Sequence, residues 1–113
     1  MTHSVRVVGG GLAGSEAALT LASLGVPVEL WEMRPVHGTD VHRTDRFGEL
    51  VCSNSLGSDA LKDARGLLKA ELRTLGSSVM ACADQSRLPA GKAFAMDRDQ
   101  FSMLITQKIA SNP

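Results

Sequence analysis

The chain has 113 residues, a length that suits one small domain rather than two. It is 43% hydrophobic and 21% charged, and 12 basic residues balance 12 acidic ones, so bulk charge gives no sign of a nucleic-acid surface. Two cysteines, Cys52 and Cys82, make neither a disulfide framework nor a zinc pair and suit a reducing, cytoplasmic setting; no apolar run is long enough for a membrane span, and the N-terminus lacks the pattern of a signal peptide.

Val5 to Val8 is a short β-branched run ending in glycines, and reads as a buried strand. Leu12 to Leu24 is rich in Ala and Leu and reads as a helix, stopped by Gly25 with Pro27 just beyond. Val28 to Glu32 is a second strand. Strand, helix and strand within roughly 30 residues make a βαβ unit. Arg34 to Gly57 is irregular, and a loop this long is usually functional or mobile.

Ser58 is placed to cap a helix running to about Leu75 and closed by Gly76. Leu61, Ala64, Leu68, Leu72 and Leu75 share one face of it, and Lys62, Arg65, Lys69 and Arg73 another. Ser78 to Ala83 reads as a strand, Pro89-Ala90-Gly91 as a turn and Ala93 to Met96 as another short strand. Asp97 followed by Gln100 has the form of a capping box, opening a helix from about Arg98 to Ala110 with a stop at Ser111-Asn112-Pro113. The fold class expected is α/β: the N-terminal βαβ part of a doubly wound, Rossmann-like domain.

Gly9-Gly10-Gly11-Leu12-Ala13-Gly14 fits the dinucleotide fingerprint G-x-G-x-x-G through Gly9, Gly11 and Gly14. Gly9 allows a tight turn out of the strand. Gly11 lets a diphosphate approach the backbone, and Gly14 lets helix and strand pack closely. The N–H groups near Leu12 and Ala13, together with the helix dipole, favour an anion. Glu32 lies 18 residues after Gly14, where a carboxylate accepts hydrogen bonds from ribose hydroxyls and repels a 2′-phosphate. The pattern disfavours NADP at this site and does not choose between NAD and FAD. Arg34 is placed either to lie over the adenine or reach a phosphate, or simply to be solvated.

Cys52 sits among Ser53, Asn54 and Ser55, a polar setting unlike that of a packed structural cysteine. Those neighbours either line its pocket or satisfy loop backbone groups. His37 and His42 have no metal-ligand spacing to an acid or cysteine, so no metal is expected. The basic stripe on the 58–75 helix is either a contact for nucleic-acid phosphates or a wet helix face, and Trp31 most simply packs in the core or at a sheet edge.

Val8 to Ala17, Trp31-Glu32-Met33-Arg34-Pro35 and Phe47-Gly48-Glu49-Leu50-Val51-Cys52-Ser53-Asn54-Ser55-Leu56 resemble the folate- and FAD-dependent tRNA uridine-5-methyltransferases, the TrmFO family. Ser58 to Leu61, Gly66 to Lys69 and Asp97-Arg98 continue the likeness. The wobble-uridine flavoproteins of the GidA (MnmG) type share the glycine loop, but carry Cys-Asn-Pro where this chain has Cys52-Ser53-Asn54.

The resemblance implies bound FAD, reduced by NAD(P)H. It also implies methylenetetrahydrofolate as one-carbon donor and methylation of uridine C5 in the T loop of tRNA. It places Cys52 beside the flavin, handling the one-carbon unit or a proton, and makes Gly9, Gly10, Gly11, Leu12, Ala13, Gly14, Glu32 and Arg34 the cofactor-binding set. The alternatives are a GidA-type enzyme, a generic FAD oxidoreductase, or a non-catalytic nucleotide-binding remnant. A doubly wound sheet calls for a further parallel strand after the last helix. The chain is therefore expected to be the N-terminal part of a longer protein, with an open sheet edge, uncovered apolar faces and weak FAD binding when isolated.

Overall fold

A computed structural model describes residues 3–112; Pro113, read above as part of a helix stop, lies outside them. The chain opens as expected, with β1 (Val5–Val8), α1 (Leu12–Ser23) and β2 (Val28–Trp31). β1 and β2 pair in parallel with Val5 opposite Val28 and Val8 opposite Trp31, the product of a βαβ crossover. Gly25 ends α1 in a left-handed turn: its N–H donates to Ala22 and that of Val26 to Leu21, the bond pair of a Schellman motif.

The irregular segment after β2 is shorter than the sequence implies. Ser55–Ser58 forms β3, which pairs antiparallel with β5 (Ala93–Met96), and β5 also pairs antiparallel with the two-residue β4 (Arg87–Leu88). The sheet order is β3-β5-β4. Ser55-Leu56-Gly57-Ser58 has little strand propensity; β5 supplies the partner that makes it a strand.

Ser58 therefore does not cap the next helix. α2 is Ala64–Thr74 with Asp63 at its N-cap, and the Ser58 hydroxyl donates to Asp63 at 2.6 Å. The turn at Ala60 lies across Gly66, where any Cβ would collide with the Ala60 backbone, and this delays the helix start.

Ser78 to Ala83 is not a strand. Ser78–Gln85 is helix α3, capped by Ser77, whose hydroxyl accepts from the Met80 N–H at 3.0 Å. Its buried residues, Val79, Met80, Cys82 and Ala83, follow a helical period and not a period of two. Glu16 of α1 accepts both the Ser77 hydroxyl and the Ser78 N–H, adding a carboxylate at the positive end of α3. α4 is Arg98–Ala110, as expected, with Asp97 accepting from the Gln100 N–H at 3.1 Å. The Asp97 N–H goes to the Ser86 carbonyl at 2.9 Å, so the reciprocal half of a capping box is replaced by a tertiary contact.

The core lies between α3, β5 and α4, where Phe94, Met96, Phe101, Ile105 and Cys82 are fully buried. α1 packs on α3 and α4 with one side and on β1 and β2 with another, which joins the parallel pair to this core. β1 is not the buried strand its composition implies: Val8 is 79% exposed, because among the described residues nothing covers that face. The leucine face of α2 is also displaced. Leu72 packs on the core while Leu61, Leu68 and Leu75 are exposed, and Gly66 and Lys69 are the buried positions.

Candidate functional site

The glycine loop joins β1 to α1 and is held from behind. The Gly9 N–H donates to the Trp31 carbonyl at 2.7 Å, keeping the strand pairing into the turn, and Gly9 takes a φ of 104° that favours glycine. A Cβ on Gly14 would overlap the Gly9 carbonyl oxygen, so this glycine permits the close helix–strand approach. Gly11 differs from both. A Cβ there would meet nothing within 4 Å, and Gly11 is the N-cap of α1 with no side-chain cap and no acid in the first turn. The first N–H groups of α1, around Leu12 and Ala13, therefore face open space with no carboxylate competing for them. An anionic group such as a dinucleotide diphosphate fits there.

Gly10 supports the loop from the inside. It is buried, its N–H donates to Glu32 Oε1 at 3.0 Å, and its carbonyl accepts from the Gly48 N–H at 2.8 Å. A Cβ on Gly10 would run into the Phe47 ring. The segment around Phe47 thus lies over the loop, with the Phe47 N–H bonded to Thr106 of α4 at 2.9 Å. Nothing local in Phe47-Gly48-Glu49 marks this bracing role. Its signal lies in the pair of glycines, Gly10 and Gly48, since Gly48 also sits where a Cβ would strike Ile105.

Glu32 stands directly after β2. Its Oε2 accepts from the backbone N–H of Arg34 at 3.2 Å and from the Arg34 Nε at 2.5 Å. Burial alone would raise its pKa, but the bonds from the Arg34 guanidinium and from the Gly10 and Arg34 backbones prevail and hold it at about 2. Glu32 is thus an ionised acceptor beside the glycine loop.

Arg34 is neither solvated nor free. It is buried, and besides Glu32 it donates to the carbonyls of Thr44 at 2.9 Å and Arg46 at 3.1 Å, and lies 3.8 Å from Glu49. Trp31 is half-exposed at the sheet edge, with the Arg6 guanidinium 4.5 Å above its ring.

Cys52 is exposed and lines a cleft of about 770 Å³ together with Arg43, Glu49, Asn54, Arg98 and Asp99. Asn54 fixes this wall: its carbonyl accepts from the Met96 N–H at 2.8 Å and its side chain donates to the Met96 carbonyl at 3.3 Å. The Ser53 and Ser55 hydroxyls accept backbone N–H groups, so the polar run both lines the cleft and satisfies its own loop. Cys82 is the opposite case, fully buried, with its thiol pKa pushed up by desolvation.

The basic stripe does not form a continuous surface. The Lys69 ammonium is buried against the Ser58 and Arg65 carbonyls, at 2.8 and 3.2 Å, and burial lowers its pKa. Arg73 pairs with Asp59 and Asp84, and Arg87 pairs with Asp59 and lies 4.4 Å over the Phe94 ring. Lys62 and Arg65 remain exposed. His42 bonds locally to Thr39, and among the described residues no group of three or more His, Cys, Asp or Glu is arranged to hold a metal. No helix of the described residues is long and apolar enough to cross a membrane.

The family described as Glucose inhibited division protein A matches residues 4–113. Among curated proteins, a methylenetetrahydrofolate–tRNA-(uracil-5-)-methyltransferase TrmFO of Streptococcus pneumoniae is 56% identical over 109 residues, 96% of this chain and 24% of the relative. A protein of the same name from Enterococcus faecalis is 56% identical over all 113 residues, 26% of its own length. One from Thermus thermophilus is 59% identical over 109 residues, 96% of this chain and 25% of the relative. The chain thus spans about a quarter of the length of these relatives. By this match, and by the βαβ unit with its Rossmann-like glycine loop, the chain belongs to the Glucose inhibited division protein A family, on its TrmFO branch.

Proposed function

We propose that this chain forms the FAD-holding part of a folate-dependent tRNA (uracil-5-)-methyltransferase working in the cytoplasm. The observation that carries the reading is the uncapped, open start of α1 at Gly11 with the Glu32 carboxylate fixed beside it at Gly10. The first supports a diphosphate and the second an unphosphorylated ribose. The relatives' name supplies the folate and the tRNA uracil.

In this reading the N–H groups of Leu12 and Ala13 receive the diphosphate across Gly11. Gly9 and Gly14 shape the turn, Gly10 braces it and Glu32 accepts from the ribose. Bound FAD, reduced by NAD(P)H, supplies the redox chemistry that turns a one-carbon unit from methylenetetrahydrofolate into a methyl group. Cys52 contributes a thiol at the wall of an open cleft, where it handles the one-carbon unit or a proton as the thiolate. At the cleft wall Arg43 and Arg98 offer guanidinium groups to folate or tRNA anions, interleaved with the acids Glu49, Asp97 and Asp99.

The test uses this chain within a protein of its relatives' length, tRNA lacking 5-methyluridine, methylenetetrahydrofolate labelled in its one-carbon unit, and NAD(P)H. Label at C5 of a T-loop uridine is the expected outcome. Label at the wobble position, or none with FAD bound, overturns the reading. Cys52→Ala is expected to keep bound FAD and to lower product formation by at least about a hundredfold, the scale of losing a covalent or proton-transfer step.

A further inference from the structure

One buried guanidinium ties the glycine loop to the segment that covers it. The Arg34 side chain is 3% exposed, although it lies just three residues past the end of β2 and carries five donors. Its Nε meets Glu32 Oε2 at 2.5 Å, its Nη1 the Thr44 carbonyl at 2.9 Å and its Nη2 the Arg46 carbonyl at 3.1 Å. Glu49 Oε2 is 3.8 Å from Nη1, and Glu49 itself is held by the Arg43 N–H at 3.0 Å, the Thr44 N–H at 2.8 Å and the Thr44 hydroxyl. The other oxygen of Glu32 takes the Gly10 N–H. Glu32 thus has one oxygen on the glycine loop and the other on Arg34, and its orientation depends on both.

We propose that Arg34 is a positioning residue that acts through Glu32. From the protein interior it sets the carboxylate at the angle the adenosine ribose requires, and it does not itself touch the cofactor. The inference rests on reading Glu32 as the ribose acceptor. The fork geometry is what lysine cannot reproduce: a single ammonium keeps the charge but cannot serve Glu32 and the carbonyls of residues 44 and 46 from one plane. Without the fork, Glu32 keeps only the Gly10 and Arg34 backbone donors, and its carboxylate is set less firmly toward the ribose.

The experiment compares binding of FAD with that of its analogue lacking the 2′-hydroxyl of the adenosine ribose. The chain is used within a protein of its relatives' length, as wild type, Glu32→Gln, Arg34→Lys and the double variant Arg34→Met/Glu49→Gln. The double variant removes the second buried carboxylate along with the guanidinium, so it folds without an unpaired charge at position 49. Wild type is expected to prefer FAD. Both Arg34 variants are expected to bind FAD about tenfold more weakly while the analogue is nearly unaffected, so that the preference collapses. An equal loss for both ligands, or a preference unchanged in the Arg34 variants, overturns the proposal and leaves Glu32 as ribose acceptor if Glu32→Gln abolishes the preference. A full preference in Glu32→Gln overturns the reading of Glu32 itself, and the proposal with it.

Discussion

The glycines of the loop are not interchangeable. Gly11→Ala places a methyl in open space, so folding stability is expected to stay within about 1 kcal/mol of wild type while FAD binding weakens, because the methyl stands where the proposed diphosphate site would be approached. Gly14→Ala instead drives a Cβ into the Gly9 carbonyl and is expected to cost stability as well, by more than about 2 kcal/mol. Denaturant titration and flavin titration of the two variants separate the effects. Glu32 carries a pH signature. Its folded pKa of about 2 lies below the ordinary 4.5, so its stabilisation is fully present above 4.5 and is lost as pH falls toward 2. In urea titrations between neutral pH and about pH 3, Glu32→Gln is expected to start less stable than wild type and to lose less on acidification.

At the scale of elements, caps decide what composition leaves open. Ser77 begins α3, and Ser77→Ala is expected to destabilise the protein by about 1 kcal/mol, read by thermal or urea unfolding. The Ser77 hydroxyl is also bonded to Glu16, so the loss extends to the α1–α3 contact and loosens the helix that carries the glycine loop. The 78–83 segment is apolar enough for either structure; the spacing of Val79, Met80, Cys82 and Ala83 contained the helical period, and the serine just before it contained the cap. The late start of α2 was less visible. It depends on Gly66 meeting the Ala60 backbone and on β5 pairing with β3, neither of which is local.

At the scale of the molecule, apolar surface remains uncovered on two sides. Val8 lies on the parallel pair, and Leu61, Leu68 and Leu75 lie seven residues apart along and beside α2. Exposed large apolar side chains of this kind promote association. The 113 residues are expected to self-associate, whereas Leu61→Gln/Leu68→Gln/Leu75→Gln is expected to shift the population toward monomer in sedimentation or light scattering. Unfolding of the triple variant is expected to change little, since these side chains make few packing contacts to lose.

By itself the sequence determined the βαβ unit, the glycine loop with its acid at Glu32, the last strand and the last helix, because each depends on local period, turn chemistry or capping among near neighbours. The motif around Cys52 was legible too, as a polar loop that composition marks as unlike a core. Only the tertiary structure decided that Arg34 points inward, that Gly10 is a brace under Phe47, that the basic stripe of α2 is broken at Lys69 and Arg73, and that residues 55–58 form a strand. The reason is common to all four. A side chain's partner here is a carbonyl, carboxylate or strand brought in from elsewhere in the chain, and no local pattern encodes which one arrives.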